Sequence, residues 1–284
     1  MSASGPARLS FEFFPPRSRE GLASLARVTE RLRAFGPAFF SCTYGAGGST
    51  RDGTRDTVQQ LLDSGLAAAP HLSIGGDSKT QIFELLDRYR DMGVRRIVAL
   101  RGDLPSGIGR ARYVHNAEDL VRWIREHSAD HFHLEVAAYP ETHPDARSPE
   151  DDLAFFRRKV DAGADSAITQ YFYNPYAYYD FVERCGRAGI EVPVVPGIMP
   201  ITNFEGIIRF SDNCGADVPR WLRKRLESVQ HDEAAMRELG IEVVSRLCQD
   251  LLAAGAPGLH FYTLNRWGAC VAVCRNLGLA EQAR

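Results

Sequence analysis

No apolar run in this 284-residue sequence approaches the roughly 20 positions that cross a bilayer. The N-terminal stretch MSASGPARLS lacks the apolar core of a secretory signal. An excess of one charge is missing too: 34 Lys and Arg stand against 36 Asp and Glu, a formal net charge of −2. No field of that size draws the whole chain to nucleic acid or to an anionic membrane. The short basic patch Arg220, Arg223, Lys224 and Arg225 reads as a solvated helix face. Paired cysteines are absent as well. The six stand at 42, 185, 214, 248, 270 and 274 with no C-x-x-C, and Cys270 and Cys274 have no second ligand cluster. That usage predicts no metal site and suits a reducing cytosol, so a cytoplasmic protein is expected. There is no H-E-x-x-H and no Ser-His-Asp order. No linker, repeat or low-complexity segment divides the chain, and residues 1–284 are expected to form one catalytic domain.

What is present is a regular alternation. Short apolar runs recur at LSFEFF (9–14), AFFSCTY (38–44), APHLSI (69–74), RIVALRG (96–102), HLEVAAY (133–139), SAITQYFY (166–173), VPVVPGIM (192–199) and LHFYTL (259–264). Continuous apolarity suits strands covered on both faces, as in a parallel sheet. Between them lie helical patterns at 18–35, 53–66, 79–92, 149–162 and 175–189, the fourth opened by the cap Ser148-Pro149. Patterns at 203–212, 219–228, 232–254 and 266–277 follow. Eight βα units predict an α/β fold, a single (β/α)8 TIM barrel with extra helices between strands 7 and 8. A doubly wound open sheet is the alternative. Weakly structured parts are expected at residues 1–8, at the last few residues and in the Gly-rich loop 105–112.

Active groups of such a barrel gather at the carboxyl ends of its strands, and here those ends are polar. Glu12 sits inside FEFF, followed by two prolines. Burial would raise its pKa toward that of a general acid; the other reading is a structural carboxylate paired with an arginine. Strand two ends Thr43-Tyr44-Gly45-Ala46-Gly47-Gly48, where backbone can approach a ligand or simply turn. His71 on strand three fits a packing role or a ligand contact. Arg101-Gly102-Asp103 can offer a cation and an anion to one ligand, or to each other. Gln170 offers a mixed donor and acceptor edge, suited to a flat heterocycle or to tying loops together. One Glu, one Asp, one Gln and several aromatics and cations suit an aromatic cofactor with a heterocyclic substrate better than hydrolysis.

The strings SFEFFPPR, SCTYGAGGSTRDGT, PHLS, ALRGDLP, VAAYPETHP, RRKVDAGADSAITQYFY, PGIMP and HFYTLNR, in this order from residue 10 to 266, resemble the methylenetetrahydrofolate reductase family. The resemblance implies a barrel that holds FAD without a covalent bond. It implies NAD(P)H as co-substrate, with NADH favoured, and reduction of 5,10-methylenetetrahydrofolate to 5-methyltetrahydrofolate, feeding methionine synthesis. It further implies a homo-oligomer with no nucleic-acid or membrane partner. Carried over, Glu12 is the acid that assists opening of the folate ring at N10, and Asp103 contacts both flavin and pterin. Gln170, Phe210 and Arg266, with Glu12 and Asp103, are the implied substrate contacts. The implied flavin contacts are Thr43, Tyr44, His71, Arg101, Gly102, Asp103, Tyr113, Tyr139, His143, Asp152, Arg158 and Lys159. The chain departs from a common pattern at Gly206, where some relatives have a folate-contacting Gln, and at Phe155, where some have a polar flavin neighbour. The loop around 106–116 differs in length. A chain ending one helix after strand eight is expected to lack inhibition by S-adenosylmethionine. A flavin-free or altered-donor relative, or a non-catalytic partner subunit, are the competing expectations.

Overall fold

The protein is described from a computed structural model, over residues 8–44, 51–75, 77–102 and 115–281. The described residues form nine strands and ten helices. The strands are β1 (Arg8–Phe13), β2 (Phe39–Cys42), β3 (Ala68–Ser73), β4 (Arg96–Leu100), β5 (His133–Ala138), β6 (Ser166–Thr169), β7 (Val194–Val195), β8 (Gly197–Ile198) and β9 (Gly258–Tyr262). Every pairing is parallel, in the order β7-β6-β5-β4-β3-β2-β1-β9-β8. The two ends of that order are consecutive pieces of one strand, so the barrel closes and the open-sheet alternative falls.

The break between those pieces is Pro196, which has no N–H to give a ladder. Before it, Val194 and Val195 pair with β6; after it, Gly197 and Ile198 pair with β9. Side chains mend the junction. The Gly197 N–H donates to Thr169 Oγ1 at 2.9 Å, and Tyr262 Oη donates to the Thr169 carbonyl at 2.7 Å. A Cβ on residue 197 would stand 2.1 Å from that carbonyl oxygen, so only glycine fits.

The helices are α1 (Arg19–Arg33), α2 (Arg51–Asp63), α3 (Lys79–Asp91), α4 (Ala117–Ser128), α5 (Pro149–Asp161), α6 (Pro175–Arg187), α7 (Phe204–Cys214), α8 (Arg220–Ser228), α9 (Glu233–Ala253) and α10 (Gly268–Asn276). Their starts follow local chemistry. Ser18, Ser78, Ser148, Asn174 and Asn203 each accept a first-turn N–H, and Pro149 and Pro175 sit where no amide hydrogen is missed. Helices α7, α8 and α9 are the extra segment between the seventh and last strands.

Burial divides along the strands with a period of two. Phe11, Phe13, Phe40, Leu72, Ile97, Leu134 and Val136 face the helices in the large outer core. Phe39, Ala69, Val98 and Ile168 form a smaller inner cluster against Leu100 and Tyr262. Polar residues share the inner positions: Ser10, Ser41, His71, Glu135, Ser166 and His260 are all buried. At the amino ends of the strands Glu135 accepts hydrogen bonds from Arg96 and Ser166, and His133 Nε2 lies 2.8 Å from Ser166 Oγ. The Arg96 guanidinium also lies over the Phe39 ring, 4.6 Å from its centroid. That cluster plugs the floor. The opposite, carboxyl end of the barrel is open.

Candidate active site

Two adjoining cavities occupy the open end. The larger, of about 840 Å³, descends to Glu12, His71 and His260 and is walled by Thr43, Gln170, Tyr171, Met199 and Tyr262. The smaller, of about 320 Å³, lies over β3–β5 toward the start of α4 and α5. They share a wall made of Tyr44, Leu100, Arg101, Ala137, Tyr139, His143 and Asp145. Ligands in the two spaces would therefore meet across these side chains.

Glu12 lies on an inward position of β1, with its side chain 12% exposed. It points into the larger cavity. Its neighbours are not arginines but two buried imidazoles, with His71 Nε2 at 3.4 Å and His260 Nε2 at 3.7 Å. Neither Nε2 atom has a hydrogen-bond partner among the described residues. Burial holds the His71 pKa below its ordinary value against the pull of Glu12. His260 is fixed from behind, its Nδ1 2.8 Å from the hydroxyl of Ser10, its partner in the β1–β9 ladder. The ring of Tyr262 stands edge-on to His260 at 5.3 Å. Glu12 thus ends in a small polar chamber with apolar walls and an outlet toward solvent.

Around the shared wall, Tyr44 Oη accepts from Arg51 Nε at 2.6 Å, and Arg51 also pairs with Asp77. Arg101 reaches Asp145 Oδ2 at 3.1 Å. Gly102 has φ +81°, and a Cβ there would lie 2.6 Å from Ser73 Oγ, so this floor bears no side chain. Tyr139 and His143 pack edge to face at 4.5 Å, and the His143 N–H donates to Asp152 Oδ2 at 2.9 Å. Burial lowers the His143 pKa.

Lys159 is the least ordinary group in the smaller cavity. Its Nζ donates to the Ala137 carbonyl at 2.5 Å, and it has no ion pair at contact distance among the described residues. Burial pushes its pKa down to about 8, with Asp152 opposing. An ammonium so placed is prepared for an anion.

Most of the residues singled out from sequence converge here. Glu12, Gln170 and Phe210 line the larger cavity together with Thr43 and His71; Gly102, Asp152 and Lys159 line the smaller; Tyr44, Arg101, Tyr139 and His143 line both. Two do not reach either surface. Arg158 stands behind the smaller cavity, bonding Glu118 at 3.0 Å and stacking over Phe155 at 4.0 Å. Arg266 is exposed and outside the cavity lining. Asp103, Tyr113 and the run Gly45–Gly48 lie outside the described residues. Gly206 has its N–H bound to the cap oxygen of Asn203 at 2.6 Å, and a Cβ there would approach that atom to 2.5 Å. A side chain at this position would displace the Asn203 cap side chain.

Sequence reasoning missed Ser10, His260, Asp145 and Glu118. Ser10, Glu12, His260 and Tyr262 stand two apart on adjacent strands, and that spacing was the available signal. It is masked by the flanking phenylalanines, which belong to the outer core.

Comparison with known proteins bears on this arrangement. A family model described as methylenetetrahydrofolate reductase matches residues 1–278. A 5,10-methylenetetrahydrofolate reductase of Escherichia coli is 40% identical over 276 residues, covering 97% of this chain and 92% of the relative. A methylenetetrahydrofolate reductase (NADH) 1 of Zea mays is 37% identical over 300 residues, covering 100% of this chain and 51% of the relative. Among solved structures, a Clostridium thermocellum protein that binds two copies of 5-methyl-5,6,7,8-tetrahydrofolic acid superposes with a TM-score of 0.65. It is 18% identical, covering 97% of this chain and 94% of that one, and shares the fold.

Proposed function

The chain belongs to the methylenetetrahydrofolate reductase family, and from that premise we propose that it reduces 5,10-methylenetetrahydrofolate to 5-methyltetrahydrofolate, with FAD in the smaller cavity and NADH as the electron donor. The observation that carries the reading is the pair of cavities meeting at one wall, with an acid, Glu12, at the foot of the larger. FAD supplies hydride transfer when bound.

The residues present fit that cofactor. Lys159 is a buried cation with no carboxylate at ion-pair distance among the described residues, suited to a phosphate oxygen, and Arg101 lines the same cavity. Gly102, without a side chain and barred by Ser73 from carrying one, leaves a flat surface for a planar ring. Tyr44 and Tyr139 offer apolar faces with polar tips. Asp152 holds the backbone of His143 and so fixes the loop that closes the slot. Arg158, through Glu118 and Phe155, braces the outer side of α5.

In the larger cavity Glu12 supplies the proton that opens the folate imidazolidine ring at N10. The two imidazoles flank its carboxyl at 3.4 and 3.7 Å. Val98, Leu100 and Ile168 give the cavity an apolar side that limits the water around that proton. Gln170 accepts the Tyr171 N–H through Oε1 at 3.0 Å, which leaves its NH2 group to donate to a pterin edge. Phe210, 40% exposed on α7, offers a ring face at the rim. Asp103 is assigned the pterin and flavin contact by family resemblance alone. One cavity serving both NADH and folate requires that they bind in turn.

The test separates the two half-reactions. Glu12→Gln preserves shape and removes the proton. Flavin reduction by NADH should persist, while reoxidation by methylenetetrahydrofolate should fall by about 10²–10⁴. Equal loss of both half-reactions would make Glu12 a structural residue and would sink the assignment.

A further inference from the structure

Side chains two apart along a strand share a face. Ser10 and Glu12 on β1 therefore share the inner face of the barrel, as do His260 and Tyr262 on β9. Ser10 and His260 stand opposite each other in the β1–β9 ladder, 4% and 0% exposed. Ser10 Oγ lies 2.8 Å from His260 Nδ1. The other ring nitrogen, Nε2, is buried, has no hydrogen-bond partner among the described residues, and faces Glu12 Oε2 at 3.7 Å. His71 Nε2 comes to the same oxygen from β3 at 3.4 Å. Both imidazoles make their nearest approach to Oε2, so Oε1 is the oxygen left for a ligand. The His260 ring has little room to turn. Phe39 stacks on it at 6.1 Å, and Tyr262, tied by its hydroxyl to the Thr169 carbonyl, stands edge-on at 5.3 Å.

The tautomer of His260 follows from Ser10. A hydroxyl carries one hydrogen, and among the described residues the imidazole is the one acceptor that Ser10 Oγ reaches. The Ser10 O–H donates to Nδ1. A neutral imidazole that accepts at Nδ1 bears its proton on Nε2. The nitrogen aimed at Glu12 is thus a donor. The opposite tautomer would set a lone pair against the carboxylate that remains once Glu12 gives up its proton. At 3.7 Å the contact is longer than a hydrogen bond, and contacts of this kind tighten as the transition state forms.

We propose that His260, held as its Nε2–H tautomer by Ser10, is a positioning residue for Glu12. It donates to Oε2, which leaves Oε1 as the oxygen that carries the transferable proton. This rests on the reading of Glu12 as the acid and names what prepares it. In the step, the Oε1–H bond breaks as the N10–H bond forms, and the negative charge left on the carboxylate is met at Oε2 by the His260 N–H. A donor aimed at charge that develops only during the reaction favours the transition state over the resting acid.

Two replacements separate donation from packing. His260→Gln keeps an amide N–H near the place of Nε2, and His260→Leu keeps bulk alone. In the flavin-loaded protein, reoxidation of reduced flavin by 5,10-methylenetetrahydrofolate should fall about ten- to a hundredfold in His260→Leu, and His260→Gln should recover most of that loss. Ser10→Ala should lower the same rate about two- to tenfold. Each loss should exceed any change in flavin reduction by NADH in the same variant. Isotope-edited nitrogen NMR of histidine-labelled wild type, read without turnover, should show His260 protonated at Nε2 and bare at Nδ1, and Ser10→Ala should shift that balance toward Nδ1. A wild-type proton on Nδ1, a His260→Gln no faster than His260→Leu, or a loss shared equally by the two half-reactions would each overturn the assignment. A folate half-reaction that stops in Glu12→Gln but runs at full rate in His260→Leu would overturn this assignment alone. One that survives in Glu12→Gln would overturn the reading of Glu12, and this with it.

Discussion

Replacing Glu135 with alanine should destabilise the barrel by about 2–3 kcal/mol at neutral pH. Glu135 is buried at the floor, where it is bound by Arg96 and Ser166 and approached by His133 at 3.4 Å. Removing one member of a buried ion pair typically costs about 3–5 kcal/mol, because the partner charge is stranded. Here the Arg96 side chain is 25% exposed and can turn toward water, which lowers the figure. For a chain of this size, that corresponds to a fall in Tm of roughly 3–5 °C. The pH dependence supplies a sign. Burial alone would raise the Glu135 pKa, but His133, Arg96 and Ser166 together bring it below the ordinary 4.5. A depressed folded pKa means that the stabilisation is complete above the unfolded value and is lost as pH falls through the folded one. The gap between wild type and Glu135→Ala should therefore be widest near pH 7 and shrink as pH drops below about 4.5. Urea melts of both proteins at equal flavin loading, from pH 7 down to pH 3.5, measure this. A loss under 1 kcal/mol at pH 7, or a gap that widens on acidification, would refute the reasoning.

Three other outcomes follow from the same geometry. Gly102→Ala forces a Cβ toward Ser73 at φ +81°; it should cost about 1–3 kcal/mol and reduce bound flavin, read by melting temperature and by the flavin-to-protein absorbance ratio. Lys159 loses its charge as pH rises through about 8, so FAD affinity should weaken above that pH, and Lys159→Met should flatten the dependence. The unfolded chain keeps that proton up to its ordinary 10.5, so the stability of the flavin-free protein should rise across the same interval, opposite to the affinity. Asn265→Ala removes both bonds to the Phe14 backbone; a loss of about 1–2 kcal/mol in urea melts is expected, with a higher KM for folate because the Phe14 edge of the larger cavity is freed.

The strand pattern was legible because a closed parallel barrel covers each strand twice. All eight apolar runs contain strand residues, and the cap at Ser148-Pro149 marks the start of α5 as expected. The seventh run, however, is not a single ladder. Pro196 cuts it into β7 and β8, which local composition showed as a proline but not as the seam of the barrel. Helix α4 escaped notice although its signals are present. Asn116 accepts from Glu118 and Asp119, Asp119 accepts in return from the Asn116 N–H, and Leu120, Val121 and Ile124 form its buried stripe. The adjoining Gly-rich stretch drew the reading toward a loop.

At the site, residues next to recognisable strings were found and residues inside apolar runs were not. Glu12 stood out because a charge among phenylalanines is unusual. Its neutral partners Ser10 and His260 did not, since the distance that matters runs across the ladder rather than along the chain. Of the two readings of Glu12, the structural one called for an arginine beside it; among the described residues two histidines stand there instead, a difference that only the barrel interior reveals.

The central claim is that one barrel end hosts flavin and folate in contact, with Glu12 beneath the folate. The most direct measurement follows the absorbance of the purified protein under anaerobic conditions. The account predicts a flavin spectrum that NADH bleaches and that added 5,10-methylenetetrahydrofolate restores with formation of 5-methyltetrahydrofolate. A colourless protein that takes up no FAD, or a bleached flavin that the folate leaves reduced, would contradict it.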